Sequence, residues 1–176
     1  MKHLIYVSIV GVDEIPFGYY RHKLGAEEII ARSGVPFSIL RATQFHTLVA
    51  MLISTAARTP FVILLPTDFL VQSVAPSEVA AQMVRCLEAK PGARLADFGG
   101  PDVMTLAQAA EEWKRITRVR KRVLHVPIPG QVATAFRTGK NTVRSGEYGT
   151  IGWVQWLRRC EAGTSATLLA ARDSPL

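Results

Sequence analysis

The sequence predicts an α/β fold whose strands form one mostly parallel sheet. Short apolar runs rich in β-branched residues alternate with longer segments that carry helical periodicity. This alternation is typical of parallel strands joined by crossover helices. With 176 residues, 48% of them hydrophobic, the chain is long enough to bury one sizeable core. We therefore expect one α/β layer with a small additional region.

The first strand and the first helix have the clearest patterns. Residues 4–10 are apolar and β-branched and end at Gly11, which predicts a buried strand with Ser8 near its carboxyl end. Ligands bind at that edge in open α/β sheets. Residues 17–33 have apolar side chains at helical spacing and end at Ser33-Gly34, which predicts a helix.

The rest of the chain continues the alternation up to about residue 120. Further strands are predicted near residues 37–42, 61–65, 70–75 and 94–98. Further helices are predicted near residues 45–57, 77–89, 105–118 and 150–160. The Pro-rich segment 126–130 opens a stretch whose secondary structure the pattern does not define.

Tyr19 and Lys23 have the spacing Tyr-x-x-x-Lys within the predicted first helix. Residues four apart share a helix face, so the phenol and the ammonium are expected side by side. A neighbouring cation favours the ionised form of a tyrosine, which suits the pair to proton transfer. The alternative is a surface tyrosine and a solvated lysine, because this spacing also arises by chance. A serine at a strand end, such as Ser8, commonly satisfies only local backbone groups.

Other polar residues of this helix have simpler interpretations. Tyr20 has no lysine four residues later, so we expect it to pack. Glu27 and Glu28 are expected to form a solvated helix face with Arg32.

A strand that ends in a serine, followed by a helix that opens with Tyr-x-x-x-Lys, resembles the active-site segment of short-chain dehydrogenases/reductases. Later segments resemble the atypical, NmrA-like branch of that family, which carries a NAD(P)-binding domain. These segments are residues 34–45, 71–80 and 99–106, and the likeness covers residues 3–158.

The resemblance implies the C-terminal part of a Rossmann-type sheet, doubly wound and mostly parallel. Residues 1–98 would be the second half of the NAD(P)-binding domain, residues 99–160 a small substrate-side region, and residues 161–176 a flexible tail. The sequence contains no Gly-x-x-Gly-x-x-Gly turn, which in this family approaches the cofactor pyrophosphate. We therefore expect the first mononucleotide-binding half to be absent and dinucleotide binding to be weak.

The resemblance also assigns roles to residues. Tyr19 would exchange a proton with the oxygen of a small-molecule substrate, Ser8 would orient that oxygen, and Lys23 would bind nicotinamide ribose hydroxyls. The cofactor, NADP or NAD, would be faced by the turn residues Thr43, Gln44 and Phe45. Phe45 as a core residue is the alternative.

Three functions are compatible with these residues. The first is an oxidoreductase-like protein that reduces carbonyls or oxidises alcohols, weakly or not at all in a chain of this extent. The second is an NmrA-like sensor of NAD(P) without catalysis. The third is a non-catalytic module that forms a homo-oligomer through an exposed sheet edge.

Composition argues against several other classes. The net charge is +7, but its densest source, residues 114–122, coincides with the end of a predicted helix, where cations are favoured, and lacks interleaved aromatic residues. Nucleic acid is therefore not an expected partner. The apolar stretch 48–65 is interrupted by Arg58 and Pro60, so no membrane span is expected. Two distant cysteines and four histidines without ligand spacing predict neither disulfides nor a metal site, and a reducing cytoplasm fits.

Overall fold

The structure, a computed structural model, describes residues 1–88 and 90–162, and strands alternate with helices throughout them. The strands are β1 (Leu4–Ile9), β2 (Phe37–Ala42), β3 (Val62–Leu65), β4 (Leu70–Val71), β5 (Ala93–Arg94), β6 (Asp97–Gly99), β7 (Met104–Thr105), β8 (Arg122–His125) and β9 (Gly146–Tyr148). The helices are α1 (Gly18–Arg32), α2 (His46–Ala56), α3 (Pro76–Glu88), α4 (Leu106–Thr117), α5 (Gln131–Arg137) and α6 (Trp153–Ala162).

The main sheet has the order β1-β2-β6-β9, with β5 also paired to β2, and all of its pairings are parallel. β1 and β2 pair along their whole length, in a register that places Ser8 directly opposite Arg41. Within the described residues β1 pairs on one side only, so it is an edge strand. The predicted α/β fold with a mostly parallel sheet is confirmed.

Two small sheets lie outside the main one. β3 pairs with β8 in parallel, and β4 pairs with β7 in antiparallel orientation. The predicted strand 70–75 was wrong beyond Val71. Past that point the backbone runs along the turn after β2, where the Val74 N–H donates to the Gln44 carbonyl, and Pro76 then begins α3.

The other differences from the sequence prediction lie beyond α3, where β7 and β8 were also not predicted. The segment beyond residue 126 forms α5 and β9, which the sequence pattern did not define. The predicted strand 94–98 consists of two short strands, β5 and β6. The last helix begins at Trp153 and includes Glu161 and Ala162, which the sequence predicts as part of the tail; the rest of that predicted tail lies outside the described residues.

Helix α4 shows how local sequence sets an element's bounds. The Thr105 hydroxyl accepts the Gln108 N–H at 3.2 Å, and the Gln108 side chain accepts the Thr105 N–H at 2.8 Å, which forms a capping box. At the other end Arg118 adopts a left-handed conformation, with φ 58°, and closes the helix.

Three apolar clusters form the core. The largest joins α2, α4 and α6 to β3, and the second lies between β2, β6 and α3. The third joins the loop after β1 to α1 and α5 through Val12, Ile15, Tyr20 and Ala135. This third cluster holds the first turn of α1 beside the carboxyl end of β1. No helix among the described residues is long and apolar enough to cross a bilayer.

Candidate active site at the carboxyl end of the sheet

Ser8 is buried near the carboxyl end of β1. Only 4% of the residue is exposed, and its hydroxyl has no hydrogen-bond partner among the described residues. An unsatisfied buried polar group costs ~1–3 kcal/mol. Such a group calls for an explanation, and at a ligand-binding edge it is available to bond an arriving polar atom.

Helix α1 places Lys23 next to Ser8. The Lys23 Nζ donates a hydrogen bond to the Val7 carbonyl at 3.0 Å and lies 4.8 Å from the centre of the Tyr6 ring. Tyr19, one turn earlier on the same face, is 53% exposed. The structure thus places the three predicted catalytic residues on two adjoining elements, with Lys23 against the strand and Tyr19 open to solvent.

The carbonyl that Lys23 binds belongs to the unpaired edge of β1. The Leu4 and Val10 N–H groups donate to the Pro36 and Ala42 carbonyls, next to and within β2. Because strand residues alternate in direction, the odd-numbered Val7 points its carbonyl away from β2. Lys23 therefore satisfies an edge acceptor of the sheet.

Glu27 differs from its predicted position. It is buried, and its carboxylate binds Arg41 at 3.0 Å from Nε and 2.7 Å from Nη2. The expectation that Glu27 is solvated was wrong, because its helix face packs against β2, where Arg41 offers a buried partner. Only Glu28 lies near Arg32, at 3.8 Å.

Arg41 also reaches the loop after β1. Its Nη1 donates to Asp13 at 2.8 Å. Partial burial would raise the pKa of the Asp13 carboxyl, but hydrogen bonding and the charge of Arg41 outweigh it and hold that pKa below its usual range. Burial likewise opposes the charge of Arg41, yet Glu27 and Asp13 raise its pKa, so the guanidinium stays charged.

The turn after β2 contains the residues predicted to face the cofactor. Thr43 is buried, and its hydroxyl accepts the Gly100 N–H at 3.4 Å. Gln44 is 8% exposed, and its Nε2 has no partner among the described residues. Phe45 packs against the second core cluster, which is the alternative that the sequence left open. Thr43 and Gln44 thus lie at the carboxyl end of the sheet.

Two buried amides at this end were not foreseen from the sequence. Asn141 is fully buried and donates to the Leu70 carbonyl at 2.8 Å and to Gln44 Oε1 at 3.4 Å. Gln72 donates to the Gly100 carbonyl at 2.8 Å and accepts the Val143 N–H at 2.7 Å. These bonds hold segment 139–143 over the strand ends. The only sequence signal was a glutamine inside an apolar run, from Val71 to Val74.

Gly11 allows segment 139–143 to approach the loop that follows β1. It has φ +80°, and a Cβ built on it would lie 2.3 Å from the Lys140 carbonyl oxygen. Only glycine tolerates both the conformation and the approach. Segment 139–143 therefore lies directly against the loop that leaves Ser8.

Tyr20 has the packing role expected from the sequence. It is 3% exposed, and its ring lies 6.4 Å from Phe136 of α5 in an edge arrangement. Phe136 in turn stacks on Phe69, with 5.4 Å between ring centres. Burial raises the pKa of the Tyr20 phenol, so this tyrosine stays neutral. The aromatic contacts join α5 to the first turn of α1.

His46, the first residue of α2, is fully buried, and both of its ring nitrogens have partners within the protein. Its Nε2 donates to the Ile151 carbonyl at 3.0 Å, and the Ser73 hydroxyl lies 2.8 Å from Nδ1. A carbonyl only accepts, so Nε2 carries the proton and Nδ1 accepts from Ser73. Burial lowers the pKa of His46, which keeps the ring neutral. Within residues 1–88 and 90–162, no cluster of three His, Cys, Asp or Glu could hold a metal ion.

Sequence comparison does not name a family for this chain. No protein-family model matches it, and no curated protein matches it at a significant level.

The fold is similar to those of several solved structures. An NADPH-dependent quinone oxidoreductase from Escherichia coli matches with a TM-score of 0.72 and 17% identity, over 92% of this chain and 68% of its own. A UDP-glucose 4-epimerase from Thermotoga maritima matches with a TM-score of 0.72 and 14% identity, over 96% of this chain and 65% of its own. A nucleoside-diphosphate-sugar epimerase from Staphylococcus aureus matches with a TM-score of 0.69 and 11% identity, over 90% of this chain and 65% of its own.

At these identities the likeness establishes the fold. The chain is a Rossmann-type α/β protein, and it spans about two thirds of the length of the structures it resembles.

Proposed function

We propose that the chain belongs to a NAD(P)-dependent oxidoreductase-like protein that reduces a carbonyl or oxidises an alcohol. The observation that carries this proposal is the unpartnered buried hydroxyl of Ser8, one residue after the carbonyl that anchors Lys23. Residues 1–98 would form the second half of a dinucleotide-binding domain, and residues 99–160 a small substrate-side region. The quinone oxidoreductase with this fold supports the class of reaction.

The residues have distinct roles in this proposal. A bound reduced nicotinamide would supply the hydride for carbonyl reduction. Tyr19 donates its phenolic proton to the substrate oxygen, and the Ser8 hydroxyl donates a hydrogen bond to that oxygen and fixes its position. Lys23, which donates to the Val7 carbonyl, would hold the ribose hydroxyls of a bound cofactor. Alcohol oxidation reverses these transfers.

Thr43 and Gln44, which we propose face the cofactor, suit a polar substituent on the nicotinamide ring. Gln44 Nε2 is a buried donor that makes no hydrogen bond of standard geometry among the described residues; it lies near the Tyr20 phenol, on the turn next to Thr43. A buried amide of this kind suits a carbonyl acceptor such as that of a carboxamide. The sequence has no glycine-rich turn for a pyrophosphate, so we expect the chain by itself to hold a whole dinucleotide weakly.

The test uses the two halves of the cofactor separately. Nicotinamide mononucleotide needs only the nicotinamide side, whereas AMP needs the other half. We expect the mononucleotide to shift the NMR signals of Ser8, Lys23 and Gln44 and AMP to leave them unchanged. Equal shifts with both ligands, or none with the mononucleotide at millimolar concentration, would refute the proposal.

A NAD(P)-sensing role without catalysis is the second candidate. It is favoured by the engagement of Lys23 with the Val7 carbonyl and by the solvent exposure of Tyr19. A sensor would bind the nicotinamide half, change its affinity for a protein partner and show no turnover on a broad panel of carbonyl compounds. Turnover with reduced nicotinamide mononucleotide would exclude this role.

Self-association through the edge of β1 is a further proposal. Among the described residues β1 has no strand on its outer side, and such an edge can pair with another chain. Lys23 covers one of its carbonyls. Light scattering over a range of concentrations tests this, and a strictly monomeric protein at high concentration would count against it.

A further inference from the structure

Arg41 connects the elements on which the candidate catalytic residues lie. It is 4% exposed, sits on β2 opposite Ser8, and binds Glu27 with two nitrogens and Asp13 with the third. Glu27 belongs to α1, and Asp13 belongs to the loop between Ser8 and Tyr19. One guanidinium thus holds strand, loop and helix together.

The helix is fixed at two points on one face. Tyr19, Lys23 and Glu27 follow each other at intervals of four residues, so they share a side of α1. Lys23 is bonded to β1, and one turn later Glu27 is bonded to β2 by two parallel hydrogen bonds. A bidentate pair fixes orientation as well as distance. A rotation of α1 that moved Tyr19 would therefore break the pair with Arg41.

The loop contact supplies the third constraint. The 2.8 Å bond from Arg41 to Asp13 fixes the chain midway between Ser8 and Tyr19. A lysine at this position could not replace the arginine, because a single ammonium does not offer the planar set of donors that serves both carboxylates.

We propose that Arg41 is a positioning residue of the candidate active site, which holds loop 10–17 and α1 so that Tyr19 and Lys23 keep their placement relative to Ser8. This inference rests on the proposed function of that site. Arg41 itself touches none of the three side chains through a hydrogen bond. Its effect is exerted through Glu27 and Asp13.

The variants separate positioning from folding. Arg41→Met by itself would leave Glu27 charged, buried and unpaired, and such a change is strongly destabilising. The double variant Arg41→Met with Glu27→Met replaces both buried charges by apolar side chains, an exchange that is often neutral for stability. Asp13→Asn weakens only the loop contact at a partly exposed residue. Glu28→Gln is the matched control, because it removes an exposed carboxylate at the next position of the same helix.

The measurements are amide hydrogen exchange and the ¹⁵N signal of the Lys23 ammonium, assigned with Lys23→Arg. In the double variant we expect exchange in loop 10–17 and α1 to rise ~tenfold relative to α4, and the Lys23 signal to move toward that of a free lysine. Asp13→Asn should raise exchange in the loop alone. Glu28→Gln should match the unmodified protein in both measurements.

Several results would overturn the inference. One is a folded double variant with unchanged exchange in α1 and an unchanged Lys23 signal; another is Asp13→Asn with unchanged exchange in the loop. If the double variant does not fold, the Asp13→Asn result decides. An effect of Glu28→Gln equal to that of the double variant would also overturn it. These readouts need no cofactor, so they are independent of whether nicotinamide mononucleotide binds.

Discussion

The Lys23 ammonium lies 3.0 Å from the Val7 carbonyl oxygen and donates a hydrogen bond to it, immediately before Ser8 in the chain. This contact brings a helix cation to the carboxyl end of the edge strand. It satisfies an acceptor that faces away from β2, and it leaves the Ser8 hydroxyl as the unpartnered polar group beside it. The candidate site therefore depends on how firmly α1 is attached to β1.

Lys23→Met should weaken that attachment. The change removes a charge-assisted hydrogen bond and the contact with Tyr6, and in a partly exposed setting we expect the free energy of unfolding to fall by ~1 kcal/mol. Urea denaturation measures this. Arg21→Met, which removes an exposed cation from the same helix, is the control and should change stability by less than ~0.5 kcal/mol. Equal effects would show that the Lys23 contact contributes nothing specific.

Tyr19→Phe should slow turnover strongly and spare binding of the nicotinamide half. The variant keeps the aromatic ring and removes the phenolic proton that Tyr19 donates in the proposed reaction. We therefore expect a loss of ~10²-fold to 10⁴-fold in kcat. Reduction of a quinone by reduced nicotinamide mononucleotide provides the rate. Tyr148→Phe, at another exposed tyrosine, is the control. Undiminished turnover in Tyr19→Phe would remove the tyrosine from the mechanism.

The sequence predicted those features that depend on local periodicity. β1, β2 and helices α1 to α4 followed from apolar spacing and stop signals, and α4 even carries its own capping box. β7, β8, α5 and β9 did not, because each is short; α5, for example, is held by a tertiary contact between Tyr20 and Phe136.

At the candidate site, too, the sequence pattern reveals only residues related by local periodicity. Tyr19 and Lys23 were singled out because their spacing is helical, and both lie on α1; their catalytic roles stay predictions. Glu27 was misassigned because its partner, Arg41, is a strand residue 14 positions later, and no local pattern links the two. Asn141, which bonds Gln44 across 97 positions, gave no signal for the same reason.

His46 should make stability fall as the solution is acidified. Burial lowers its pKa in the folded protein, so the unfolded chain binds the proton more readily. The stabilising contribution is complete above the unfolded pKa of ~6.5 and is lost as the pH falls toward the folded value, with a slope of up to ~1.4 kcal/mol per pH unit. His46→Gln should reduce this slope. Urea denaturation between pH 7 and 5 measures it, and identical slopes in both proteins would contradict the assignment.

Gly11→Ala should be the more costly of two matched glycine substitutions. Gly11 and Gly34 both have positive φ, +80° and +71°, so an alanine at either position carries the cost of a left-handed conformation, ~1–2 kcal/mol. Only at Gly11 does the new Cβ also meet a backbone atom, the Lys140 oxygen at 2.3 Å; nothing lies within 4 Å at Gly34.

The difference in destabilisation between the two variants therefore reports how closely segment 139–143 packs against the end of β1. We expect Gly11→Ala to lower the free energy of unfolding by at least ~1 kcal/mol more than Gly34→Ala, because rigid backbone must move to admit the methyl group. Hydrogen exchange should locate the additional loss in segment 139–143. Equal destabilisation by the two variants would mean that this segment is not held against the loop that follows Ser8.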